Sequence, residues 1–412
     1  MLEFDAIRPY SDAEVPAVLQ RLTQDEELLR ILAGHHFPRL HRWLPGVVKR
    51  LVGAGLRREA REIDSVDTLQ HRIEPYLDRL IESSVAAVSY SGLEHLAKDR
   101  PHLFLANHRD IVMDPAFVNY ALYHAGHPTP RIAIGDNLLQ RPFVSDLMRL
   151  NKSFIVHRSV TGRREKLGVY QTLSAYINHS IASGHSIWIA QAEGRAKDGL
   201  DETDTAIIKM LCMSRKGEDF ADIVRSLNIV PVSIAYEWDP CDQMKAHELE
   251  QRARTGAYVK EPGEDDRSIA KGLTGYKGHV HVAFGQPLTG EYPDARAVAR
   301  EADRQILQNY KLQPSNYMAV ERLPEALAAP GVADSIKHWR ARFDSALLAC
   351  EKARFESRLA GCSEEAQHWW LLQYANPVIS ASAAACAAAS AAASEASPAA
   401  APASDQSAEQ GQ

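Results

Sequence analysis

The sequence is poor in cysteine and has no long apolar run, no strong net charge and no nucleotide-binding loop. Each absence removes a class of function. The five cysteines, Cys212, Cys241, Cys350, Cys362 and Cys386, are odd in number, far apart and form no CxxC pair. That argues against a disulfide framework or a zinc site and for reduced thiols in a cytosolic compartment. No uninterrupted run reaches the roughly 18 apolar residues of a membrane-spanning helix. The opening stretch "MLEFDAIRPYSDAEV" lacks a basic segment followed by an apolar one, so no secretory signal is expected and the location expected is cytoplasmic. A net charge of -6 provides no field for nucleic acid, which is therefore not an expected partner.

Motifs are missing too. GxxxxGK[ST] and GxGxxG do not occur, nor do DFG or APE, which leaves no P-loop nucleotide and no kinase. GxSxG is absent, so there is no nucleophile elbow. No HExxH occurs, and the pair His279 and His281 in "HVHVAF" has no third ligand at a recognisable spacing, so no metal is expected. His35 and His36 would face different sides of a helix and make a poor chelate.

What is present is a globular chain, 45% hydrophobic and 24% charged, long enough for a large core. Residues 1–84 read as helices. Ser11 with Glu14 forms a helix start. Further on, Phe37, Leu40, Leu44, Val47, Val48 and Leu51 recur at spacings of three and four. Arg39, Arg42, Lys49, Arg50, Arg57, Arg58 and Arg61 accompany that stripe, against Glu59 alone. Because Pro45, Gly53 and Gly55 interrupt the pattern, the reading preferred is a stripe packed on the protein's own core. The alternative is a segment lying on an anionic lipid surface at the inner face of the membrane.

From residue 85 to 290, short β-prone runs alternate with helical stretches: "AAVSYSG", "HLFLAN", "RIAIGD", "SFIVHR", "SIWIAQ", "NIVPVSIAYEW" and "HVHVAFG". This alternation predicts an α/β domain with a mixed, largely parallel sheet flanked by helices. Residues 241–278 read as an inserted helix plus polar loop. Residues 291–378 are again helical, with Trp339, Trp369 and Trp370 as packing anchors. The Ala/Ser-rich tail, 379–412, has nothing large to bury and is expected to be disordered.

Function in parallel sheets collects where strands run out into loops, and four strand ends carry polar groups: "LANHRD", "FIVHRS", "IAQAEGR" and "IVPVS". His108, at the mouth of the first, is a candidate general base, provided a carboxylate holds its tautomer. Two aspartates compete for that place. They are Asp110 and Asp114, and the spacing alone leaves both open. Arg158 and Arg195 are permanent cations suited to a phosphate. Glu193 is suited to accepting from substrate hydroxyls.

Four blocks, in order, resemble the glycerolipid acyltransferase family, the phospholipid/glycerol acyltransferases. "NHRDIVMDP" is similar to the family's His-x4-Asp block, "SFIVHRS" to its arginine block, "AEGRAKDG" to Glu-Gly-Thr-Arg, and "NIVPVSI" to its proline block. There are departures: five residues separate His108 from Asp114, and the third block lacks its threonine. On an ideal helix neither the family's position +5 nor the +6 found here faces the histidine, so the family's contact implies a turn, which can absorb one extra residue. On that ground Asp114 is the expected partner, with Asp110 capping the helix or pairing with an arginine. The resemblance implies an O-acyltransferase that needs no cofactor and takes its acyl group from acyl-CoA or acyl-carrier protein as co-substrate. His108 and Asp114 would be catalytic; Arg158, Glu193, Gly194 and Arg195, with Asn107 and Arg109, would bind a glycerol-phosphate or lysolipid acceptor. Pro231 would shape the acyl pocket, and a helix N-terminus beside His108 would help bind developing charge. A non-catalytic lipid-binding protein and a thioester hydrolase are the competing readings.

Overall fold

In a computed structural model the protein is described over residues 4–160 and 162–395. Five helices come first: α1 (Val15–Leu22), α2 (Glu26–His36), α3 (Pro38–Trp43), α4 (Pro45–Ala60) and α5 (Val66–Ser84). Their starts are chemically marked. Glu14 accepts from the Ser11 amide, Asp25 from Leu28, and Ser65 from Thr68. Pro38 and Pro45 each open a helix, where their missing N–H costs nothing.

The α/β part follows as β1 (Ala87–Ser91), β2 (Leu103–Ala106), α6 (Met113–His124), β3 (Arg131–Gly135), α7 (Pro142–Leu150), β4 (Ser153–Val156), α8 (Arg163–Ala182) and β5 (Ile187–Ala190). Then come α9 (Thr205–Cys212), α10 (Phe220–Leu227), β6 (Ile229–Tyr236), α11 (Asp242–Thr255), α12 (Glu264–Thr274) and β7 (His279–Phe284). Each of the seven expected runs is a strand. They form one sheet in the order β1-β7-β6-β2-β5-β3-β4. Every pairing is parallel except β6 with β7, so β1 and β7 run against the other five.

Alternation along β2 builds both layers of the core. Leu103 and Leu105 join one buried cluster with Ile187, Ile189 and Ile229, under α8, α9 and α13 (Ala295–Asn309). Phe104 and Ala106 join the other with Trp188, Val230 and Phe117 of α6.

Beyond α13 the chain continues as α14 (Pro314–Glu321), α15 (Pro324–Leu327), α16 (Val332–Ile336), α17 (Ser345–Ala360) and α18 (Glu364–Glu395). Trp238, Trp339, Trp370, Phe355 and Tyr374 are buried in a cluster of their own there. Three expectations change. The disorder expected from residue 379 does not hold for residues 379–395, which continue α18. Alanine is the strongest helix former, and Val378 and Ser382 are buried against the preceding helices. The rest of the expected tail, 396–412, lies outside the described residues. Residues 241–278 contain two helices, not one. And of the N-terminal stripe only Val48 is packed: Phe37, Leu40, Leu44, Val47 and Leu51 are exposed, as is Trp43 at 81%. Leu29, Ala33, Val48 and Gly53 are the buried residues of α2 and α4, a face too narrow to cover the rest.

Candidate active site

The site stands at the carboxyl end of β2, flanked by β5 and β6. β2 ends at Ala106, and beyond it His108 meets one carboxylate, Asp114, while its two neighbours meet another, Asp201. The Asn107 and Arg109 side chains both reach the buried Asp201 carboxylate. Asn107 also donates to Ile234 O (3.1 Å) and accepts from its amide (2.7 Å). Both are buried and bonded within the protein, and the Arg109 guanidinium lies 5.5 Å from the Tyr310 ring. This corrects the expectation that they bind substrate: they brace the turn.

His108 itself is placed by three contacts. Nδ1 lies 2.8 Å from Asp114 Oδ2, its carbonyl accepts from Ala196 N (2.8 Å), and the Trp188 ring packs edge-on at 5.7 Å. The required turn is there: residues 107–112 are not helical and α6 begins at Met113. Asp114 Oδ2 also accepts from the amides of Arg109 (2.6 Å) and Asp110 (2.9 Å), while Oδ1 accepts from the buried Tyr236 hydroxyl (2.7 Å). A carboxylate so surrounded by donors is an acceptor toward Nδ1 too. The proton of neutral imidazole therefore sits on Nδ1 and the lone pair on Nε2.

Asp110 accepts from the amides of Val112 (3.0 Å) and Met113 (2.8 Å), capping the start of α6, and burial pushes its carboxyl up. The two aspartates thus take the amides of Arg109, Asp110, Val112 and Met113, the last of these the first residue of that helix.

The pocket, about 270 Å³, is lined by His108, by Glu193, Gly194 and Arg195 of the third block, and by Leu249 and Arg252 of α11. Glu193 has no hydrogen-bond partner among the described residues, whereas Arg195 Nη1 donates to Ser268 Oγ of α12 at 2.8 Å. Two expected residues are elsewhere. Arg158 is exposed at the end of β4, three places from β2 in the sheet, and is not in the lining. Pro231 is inside β6, paired with Leu105, and its carbonyl accepts from Gly285 N (2.8 Å). Its missing N–H points to the same side, where β7 has ended, so the proline costs no ladder bond, and it is not among the residues that line the pocket.

Sequence reasoning missed Tyr236, Lys245 and Asp201. Lys245, buried in α11, donates to the carbonyls of Arg109 (2.8 Å) and Ala196 (3.1 Å) and pairs with Asp239. It joins the first block to the third. Tyr236, at the end of β6, was legible only as a strand residue. His279 and His281 bond the Ser89 hydroxyl, both at 2.7 Å. Among the described residues no group of three or more His, Cys, Asp or Glu side chains is placed to hold a metal ion.

Comparison with known proteins points one way. Residues 87–236 match the family model described as Acyltransferase. Glycerol-3-phosphate acyltransferase of Alteromonas mediterranea is 27% identical over 209 residues, 48% of this chain and 24% of that protein. The enzyme of the same name from Pseudoalteromonas atlantica is 29% identical over 231 residues, 50% of this chain and 26% of that one. Human dihydroxyacetone phosphate acyltransferase is 24% identical over 276 residues, 63% and 37% of the two chains. The alignments span about a quarter to just over a third of these relatives. The crystal structure of the 1-acyl-sn-glycerophosphate acyltransferase PlsC from Thermotoga maritima overlays 69% of this chain and 94% of that one, at 16% identity and a TM-score of 0.34. That overlay is loose, and the sheet order above rests on its own hydrogen-bond registers.

Proposed function

We propose that the chain, whose residues 87–236 belong to the acyltransferase family, moves a fatty acyl group from a thioester to a hydroxyl of a glycerol-phosphate-type acceptor. The observation that carries this reading is the His108–Asp114 pair at the pocket, with Nε2 left as the basic nitrogen. His108 takes the acceptor's hydroxyl proton as the oxygen attacks the thioester carbonyl. Asp114 holds the Nδ1 proton and stabilises the imidazolium. Collapse of the tetrahedral intermediate breaks the carbon–sulfur bond, and His108 returns the proton to the leaving thiolate. The donor is acyl-CoA or acyl-carrier protein, and no cofactor takes part. Arg195 and Glu193 face the acceptor, since both line the pocket beside the base.

The test uses purified full-length protein, acyl-CoA or acyl-carrier protein, and a panel of glycerol-phosphate, dihydroxyacetone-phosphate and lysolipid acceptors. Thiol release with matching ester product is expected, falling about 10²–10⁴-fold in His108→Ala. Release no faster than in that variant would leave only a lipid binder, and free fatty acid in place of ester would indicate a hydrolase.

The same reading places the protein on the inner face of the cytoplasmic membrane. No described helix is long and apolar enough to cross a membrane. The exposed Trp43, Leu44 and Leu51, with Arg39, Arg42 and Arg50 among them, suit an anionic lipid surface, where aromatic and aliphatic groups enter the interface and arginines meet headgroups.

A further inference from the structure

The segment between β6 and β7 walls the reaction pocket through Leu249 and Arg252, and each of its two helices touches both the first block and the third. In α11 the Lys245 side chain, 3% exposed, donates to the carbonyls of Arg109 (2.8 Å) and Ala196 (3.1 Å), and its third partner is the Asp239 carboxylate. In α12, Ser268 Oγ accepts from Arg195, and Gly272 lies so close to Asp110 that a Cβ would come within 2.1 Å of its Oδ2. Cys241, just before α11, brings Sγ to 3.4 Å from Ser268 Oγ. The start of α11 is anchored as well, since Asp242 Oδ2 accepts from Arg358 of α17 (2.7 Å) and Tyr374 of α18 (2.8 Å).

The two stretches that Lys245 joins have little else to hold them in register. β2 and β5 are neighbours in the sheet, but their ladder stops where the Gln191 amide donates to Ala106 O (2.7 Å). Beyond it, the turn with His108 and the loop with Glu193 and Arg195 share a single main-chain bond among the described residues, Ala196 N to His108 O at 2.8 Å. Asn107 and Arg109 grip only the far end of that loop, at Gly199 and Asp201. Lys245 takes one carbonyl from each stretch, that of the residue directly after His108 and that of the residue directly after Arg195. An ammonium has three donors, and here all three are spent inside the protein. Lys245 therefore has none left for a substrate, and it is not among the residues that line the pocket. A buried ion pair adds little net stability over apolar groups of similar volume, so what this one contributes is geometry.

We infer that Lys245 is a positioning residue: by tying the Arg109 carbonyl to the Ala196 carbonyl, it sets how far His108 stands from an acceptor held at Glu193 and Arg195. This rests on the acyl-transfer reading and adds to it a residue that acts without touching substrate.

The test compares the full chain with Lys245→Met and with the double variant Lys245→Met, Asp239→Asn, using whichever acceptor of the panel the parent turns over. The double change leaves neither half of the ion pair behind, so it is expected to fold, and its Tm checks that. Because a misplacement near 1 Å costs on the order of a hundredfold, both variants should lose about tenfold to a hundredfold in kcat and gain about tenfold in acceptor KM, with donor KM within about twofold. Any other pattern overturns the inference, including a lower kcat with both KM values unchanged, which a mere loss of folded molecules would give. Should the parent transfer no acyl group, the functional reading fails and amide hydrogen exchange judges the tie alone. Faster exchange at residues 107–112 and 193–199 in the double variant, with α17 and α18 as in the parent, upholds it; any other outcome refutes it.

Discussion

In the C-terminal helices Trp339 and Trp370 are enclosed by Tyr317, Phe355 and Tyr374, while in the N-terminal helices Trp43 stands in solvent beside Leu44 and Leu51. Both regions show helical periodicity, and both flank the same α/β part of the chain. The difference is in what each apolar face meets. The C-terminal set docks on residues just past β6: Trp238 Nε1 donates to Glu351 (2.7 Å), and Ser315 Oγ to the Glu237 carbonyl (2.7 Å). The N-terminal set closes a smaller core through Val15, Val18, Leu22, Leu69, Phe143 and Leu150, and that core does not reach α3. Amphipathic spacing thus announces an apolar face without saying what covers it.

The largest test of this contrast is Trp370→Ala, expected to cost about 3–5 kcal/mol in denaturant unfolding as a large buried side chain is lost. Trp43→Ala should change stability by less than about 0.5 kcal/mol. Equal losses would erase the distinction.

A second effect should appear at the seam where the C-terminal helices meet the sheet. Burial pushes the Glu237 carboxyl up to about 7 from its ordinary 4.5. Between those values the folded state keeps a proton that the unfolded state gives up, so stability falls as pH rises through that window. Glu237→Gln should remove this slope and stabilise the protein at pH 8 by on the order of 2–3 kcal/mol relative to pH 4. A parent whose stability stays flat from pH 4 to 8 would contradict it.

Tyr236→Phe is expected to cost about 1.5 kcal/mol, since the buried Asp114 loses one charged hydrogen bond. Smallest in stability is the double change Trp43→Ser with Leu51→Ser. Tm should hold, while co-sedimentation with anionic vesicles is lost. Retained sedimentation would move the lipid contact away from α3 and α4.

How much of this was legible follows from the geometry of each signal. Strands and helices were readable because their periodicities are local, and all seven strands are where the β-prone runs are. His108 and Asp114 came together because a single short turn, ending at α6, joins them. Strand order is not local. Four strand ends looked equivalent in sequence, yet β4 is separated from β2 by β5 and β3, which strands Arg158. Asn107 and Arg109 looked like site residues because they adjoin His108, but their side chains bond the buried Asp201, a partner some ninety residues on that spacing does not reveal. Lys245 and Arg252 had no visible link to the site, since helix spacing shows its meaning only once Lys245 is seen bonded to Arg109 and Ala196.

The turn that joins His108 to Asp114 has a consequence for how such a protein changes over generations. Three of the four donors to the Asp114 carboxylate come from residues 108–110, so the proton chemistry is written in a handful of consecutive codons. The other residues that line the pocket arrive from beyond residue 190, on a loop and on a helix laid over the top. Mutation can rework that helix while His108 and Asp114 stay in register.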